Sequence, residues 1–257
     1  MRSFHHFKIQ YSTSLLLALV FLVLIAAPVQ AGGFGLPTNK VGLGFGNLEQ
    51  FSGVRLNFRD RGIYNSQGLN LMLWAHQDNR QAVYQGINIG IAGLDGYQFQ
   101  GINLAGLGTG HGHMQGITIG GLGIGAEDMQ GIGVAGLGIG AHNMQGVFIA
   151  GLGMGAQDVQ GIALAGLGMG CENATGILFG GLGLGAHEIT GIAVGGLGLG
   201  AEDITGVAIG GLGVGGHDIT GVALGGLGIG GRTIQACLPV VASGRKKPRE
   251  QPWPSGI

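Results

Sequence analysis

Two columns of ionisable and amide side chains recur through the middle of the chain at a fixed step. One holds Glu127, His142, Gln157, Glu172, His187, Glu202 and His217, and the residue after each forms the second: Asp128, Asn143, Asp158, Asn173, Glu188, Asp203 and Asp218. Imidazole beside carboxylate is a donor set for a divalent metal. The set changes from copy to copy, however, and no copy supplies three or four ligands. These side chains therefore read as a solvated ridge in which histidine and glutamate alternate and keep like charges apart. A third column, Gln100, Gln115, Gln130, Gln145 and Gln160 followed by Thr175, Thr190, Thr205 and Thr220, suits hydrogen bonding between successive copies. A threonine ladder also suggests ice binding, but that needs two aligned threonine columns and only one stands here. Gly121-Leu-Gly-Ile-Gly-Ala126 matches the dinucleotide pattern G-x-G-x-x-A. That fingerprint works only between a strand and a helix in a unit of about 30 residues, and here it recurs every 15 residues. Asn173-Ala-Thr175 matches a glycosylation sequon but is an ordinary variant of the repeat. No catalytic, cofactor-binding or metal-ligating residue is assigned, and the chain is read as a non-enzyme without a cofactor.

What positions these columns is a 15-residue repeat. An opening glycine stands at 101, 116, 131, 146, 161, 176, 191, 206 and 221 without a slip, the signature of stacked like units. Within the copy that starts at Gly191, Ile192 and Val194 alternate with small residues, and so do Leu197 and Leu199, which is the period of a strand. The two pairs are out of phase, and a bend at Gly195-Gly196 would let both point inward with Ile204. Five inward side chains per coil, each coil resting on the next, predict an all-β solenoid of 15-residue coils. Its outer faces would be flat and nearly bare, formed by glycine and alanine. A dozen coils about 4.8 Å apart would make a rod on the order of 55 to 60 Å long. The alternative is an up-and-down outer-membrane β-barrel with one spanning strand per repeat, since Gly191 to Ala201 reaches the roughly 9 to 11 residues required.

The flanking segments differ. Residues 1–31 carry Arg2 and Lys8, the apolar run Leu15 to Ala27 and small residues at Val29 and Ala31, the three-part pattern of a secretory signal peptide cleaved after Ala31. Residues 32–52 contain VGLGFG and read as an amino-terminal cap or degenerate repeat. Residues 53–100 hold irregular copies decorated with Arg55, Arg59, Arg61, Trp74, Arg80 and Tyr84. The step from Gly68 to Gly86 is three residues too long, which places a loop near Trp74 to Arg80. These decorations suit the polar, irregular surface of an end cap, and any recognition surface would lie among them. The regular repeats run over 101–235. From Ala236 to Ile257 the rhythm breaks into a degenerate repeat and a basic, proline-rich tail expected to be disordered.

Sixty glycines in 257 residues is about three times ordinary usage, yet glycine does not fall every third residue as in collagen. The aliphatic content and low charge exclude a disordered chain. A net charge of −1 gives no bulk attraction to nucleic acid. Cys171 and Cys237 lie in different repeats and do not form a disulfide framework.

The units GVRLNF, GLNLMLW, GINIGIAGL and GVALGGLG resemble the bacterial exported "surface repeat" proteins, whose copies follow G-apolar-x-apolar-G-apolar. The resemblance covers about Gly53 to Gly231 and implies an envelope or surface location, with no established activity and no functional residues to carry over. The expected function is a structural or adhesive element of the periplasm, outer membrane or cell surface. Expected partners are further copies, meeting through the Gly/Ala faces, or other envelope components, and not nucleic acid. The alternative function is a membrane barrel serving as a pore or transporter.

Overall fold

The computed structural model describes residues 32–74, 79, 81–110 and 112–236. The segment expected to be a signal peptide, residues 1–31, the tail beyond Ala236 and most of the stretch between Trp74 and Arg80 lie outside the described residues. What is described contains no helix and forms a β-solenoid of about 13 turns. Each coil lies in parallel register on the one before it. Strand Gly183–Gly195 meets Gly198–Gly210 so that Leu184 pairs with Leu199, Ile189 with Ile204, Thr190 with Thr205 and Gly191 with Gly206. The longer step at Gly68 leaves the ladder intact, because Asn65–Met72 pairs in register with Val83–Gly90 and the extra residues fall between the two strands. Among the described strands, the antiparallel pairing is that of Phe34–Pro37 with Val41–Phe45, at the amino-terminal end of the stack. The up-and-down barrel is therefore replaced: its neighbouring strands must run antiparallel, whereas successive repeats here run parallel.

Each regular coil consists of three straight runs and three corners. Gly206 makes one corner with φ of 126°, a conformation that side chains other than glycine's rarely adopt. An added Cβ there would also sit 2.1 Å from the Gly191 carbonyl oxygen of the preceding coil. Gly211-Leu212 makes the second corner, where Leu212 N–H donates to the Leu197 carbonyl at 2.6 Å. Glu202 forms the third: the ladder breaks there and resumes at Asp203.

The inward set differs from the expected one. Leu199 and Ile204 are buried, but the run after Gly191 turns the other way: Ala193 is 0% exposed, whereas Ile192 is 41% and Leu197 50% exposed. Val194 is half-buried on the same outer side as Ile192. The reason is volume. A coil of this length encloses a narrow interior, and once Leu199 and Ile204 fill it from two runs, the third has room only for Ala193 and Gly195. Departures from this pattern compensate each other, as close packing requires. In one coil the buried Ala174 is matched by the buried Leu178, and Phe148 lies over Gly133, its Cδ1 2.9 Å from where a Cβ would stand.

The faces consequently differ from one another. The run Asp203–Thr205 is polar outside; the run after Gly206 is aliphatic outside; the run from Gly213 is bare. Only this last face matches the expected glycine and alanine surface. At Gly200, on the bare face, φ is not left-handed and an added Cβ meets nothing within 4 Å. The two glycines thus respond oppositely to one change. Gly200→Ala is expected to raise stability by about 0.4–1 kcal/mol through loss of unfolded-state entropy, and Gly206→Ala to lower it by more than about 4 kcal/mol, both read from urea midpoints.

Candidate functional site

The predicted chemistry-bearing columns come together on the polar face. Asp203 and Thr205 flank the inward Ile204, so the acid/amide column and the Gln/Thr column run side by side along the stack. Their rungs are joined by side-chain hydrogen bonds. Gln85 donates to Gln100 at 3.2 Å, Gln100 to Gln115 at 3.3 Å and Gln115 to Gln130 at 3.3 Å. This is the ladder expected for the glutamines over the stretch Gln100 to Gln130, here reaching one coil further back to Gln85. Asn143 Nδ2 donates to Asp128 Oδ1 at 2.6 Å, and Asn173 Nδ2 to Asp158 Oδ1 at 2.8 Å. Alternating amide with carboxylate thus gives Asp128 and Asp158 a donor in place of a like charge, whereas Glu188, Asp203 and Asp218 follow one another in the column.

Histidine joins the same pattern at its ends. His113 Nδ1 lies 2.7 Å from Asp128 Oδ2, and His187 Nδ1 lies 3.3 Å from Glu202 Oε2. Tyr97 meets the His113 ring edge-on, 5.3 Å between centroids. Tyr97, His113, Asp128 and Asn143, with Gln115 and Gln130, line a shallow groove of about 620 Å³ between the two columns. The Asn143 amide, and after it His113, holds the Asp128 carboxyl below the usual carboxylate range. Among the described residues, no three His, Cys, Asp or Glu side chains converge as a metal site. Cys171 faces the interior in part, and burial pushes its thiol up to about 11.

The decorated amino-terminal coils hold a polar centre inside the solenoid, which the sequence reading placed on the surface. Arg55 and Asp60 are both fully buried and paired at 2.6 Å through Nη2 and Oδ2. Asn57 Nδ2 donates to the other Asp60 oxygen, and the Tyr84 hydroxyl donates to Asp60 Oδ2 at 2.8 Å. The Tyr84 ring stacks on Phe99 with centroids 5.0 Å apart, and the Arg55 guanidinium carbon lies 6.0 Å from the Tyr84 ring centroid. Burial, then the neighbouring Asp60 carboxylate, raises the Tyr84 phenol well above its ordinary value. Arg59, Arg61 and Trp74 are exposed as expected, and Arg80 lies outside the described residues.

From Arg55 the polar column continues up the axis of the stack. Arg55 Nε donates to Asn70 Oδ1 at 3.2 Å, Asn70 to Asn88 at 2.8 Å, Asn88 to Asn103 at 2.8 Å and Asn103 to Thr118 Oγ1 at 3.4 Å. All five side chains are buried. They occupy the position that Ala193 and Ala208 hold later, so one interior column changes from charged to amide to apolar along the chain. Reading the residues missed this ladder. Its signal was asparagine recurring two places after the opening glycine at 70, 88 and 103.

Two measurements test this account. Asp60→Asn leaves the buried Arg55 charge uncompensated and is expected to cost about 3–5 kcal/mol, with the Arg55→Met/Asp60→Asn double variant recovering part of the loss in urea unfolding. Asn143→Ala is expected to raise the Asp128 carboxyl towards its ordinary value in an NMR titration. Because the native shift is downward, the stability that contact contributes is present above the ordinary carboxylate range. It is lost as pH falls through the lowered value.

No family model matches the chain, and neither the curated proteins nor the solved structures searched contain a match.

Proposed function

We propose that this chain is an exported, non-enzymatic repeat protein that serves as a structural or adhesive element of the bacterial envelope or surface. The observation that carries the reading is the outer aliphatic face. Isoleucine, leucine, valine and phenylalanine side chains stand outward on successive coils, with Ile87, Ile117, Ile149, Phe179 and Ile192 each about two-fifths exposed. A contiguous apolar surface of this kind marks a place where a protein meets something else. The side chains able to do chemistry are instead spread one or two to a coil along the polar face, an arrangement suited to regular contact rather than to a single reacting centre. The apparent signal peptide and the resemblance to exported surface repeats supply the location.

Amino-terminal sequencing of the protein recovered from its native cells, together with an alkaline carbonate wash of isolated envelopes, tests this reading. The expected outcome is a mature chain beginning at Gly32 that is found outside the cytoplasm and released by the wash. A chain that keeps Met1 and remains in the cytoplasm overturns it.

A further inference from the structure

We infer that the aliphatic face is a dimer interface on which a second copy of this chain lies face to face. The inference rests on the reading that the protein works through its surfaces, and it names the partner. Two columns make the face. They run from Leu43 and Phe45 through Ile117 and Ile119 to Val222 and Leu224, each residue paired in register with its counterpart in the next coil. No polar side chain interrupts either column, even in the early coils whose interior carries Arg55 and the asparagines. An outward position that stays aliphatic while the inward one beside it varies from arginine to glycine is not serving the interior of its own coil.

Area and charge select the occupant. About 13 turns at about 4.8 Å give a face about 60 Å long and, for two columns about 7 Å apart with their side chains, about 12 Å wide. That is on the order of 700 Å² per partner, close to the roughly 800 Å² that each side of a stable interface contributes. The face is built of evenly spaced rungs, so a copy related by a twofold axis presents the same rows at the same spacing, and two such sheets pack with interdigitating side chains about 10 Å apart. The corner that carries Glu202 lies across the coil from this face, which keeps the acids of the two copies apart. A lipid surface fits less well. Residues 101–231 contain no lysine or arginine, and the acidic ridge would be repelled by anionic headgroups.

Sedimentation velocity on the purified protein decides the matter. The native chain is expected to sediment at twice the chain mass at micromolar concentration. Ile117→Glu/Ile132→Glu, at the middle of the face, is expected to weaken association at least tenfold while leaving the far-UV spectrum of the strands unchanged. Should that variant fail to fold, the milder Ile117→Thr/Ile132→Thr provides the same comparison, and Gln130→Glu on the polar face is expected to leave the dimer intact. A native chain that sediments as a monomer overturns the inference, as does a dimer indifferent to the face substitutions. Flotation of monomeric chain with vesicles of phosphatidylcholine and phosphatidylglycerol (3:1) also overturns it and assigns the face to lipid. Because these measurements use the isolated protein, a monomer that still fractionates outside the cytoplasm removes the dimer alone, and a cytoplasmic dimer removes only the envelope reading.

Discussion

A fifteen-residue coil must close on itself while its backbone stays paired with the coils on either side, and this dual demand leaves very little room inside. Backbone pairing at a fixed register sets the outline, because every carbonyl and amide of a run faces its counterpart fifteen residues away. The outline sets the volume, and the volume admits two full-sized side chains and little more. The small residues at Ala193 and Gly195, the Gly206 corner and the outward turn of Ile192 all follow. So does the paired behaviour of Ala174 and Leu178, where one side chain grows as another in the same coil shrinks.

The period, the strands and the bend near Gly195-Gly196 were legible because each depends on local chemistry: alternation where a strand runs, a change of phase where it bends, a break where an insertion falls. The corners at the opening glycines, where φ is positive, were not read as corners. Nor was the phase of the run after Gly191 legible. A strand alternates with period two, so a one-residue error exchanges every inward side chain for an outward one, and hydrophobicity alone assigned Ile192 and Val194 to the core. The choice was decided by the sum of side-chain volumes around a closed coil, a non-local quantity. The asparagines at 70, 88 and 103 carried the correction. On the assumed phase they would have been solvent-facing, whereas they are buried and form a ladder in which each amide both donates and accepts. The polar face was read more successfully, because single-residue columns of glutamine or acid and amide need only the register to meet.

The polar interior at the amino-terminal end bears on a problem particular to repeats. Among the later coils a slip of one whole repeat exchanges like for like: Ile204 replaces Ile189 and Ala208 replaces Ala193. Near Arg55 no such exchange is free. Asn70 must have Arg55 on one side and Asn88 on the other, and shifting the column by one coil would set a buried charge or amide against a partner of the wrong kind. Buried polar groups are a costly way to fill a core, but each has one neighbour that satisfies it, and that property distinguishes one end of an otherwise uniform stack from the other.

Inside and outside therefore follow different rules along the same run of residues. The inward column passes from arginine through asparagine and threonine to glycine, phenylalanine and alanine, each step matched to what the neighbouring coils leave open. The outward columns stay apolar throughout, over a polar interior and an apolar one alike. If apolar side chains had been placed outside merely because the narrow interior excluded them, any soluble residue of suitable strand propensity would have served, and threonine would be the economical choice. Keeping isoleucine, leucine and valine exposed on coil after coil costs solubility. That cost is offset only when the face is covered, and so the composition of the outer columns is a statement about a partner rather than about the fold.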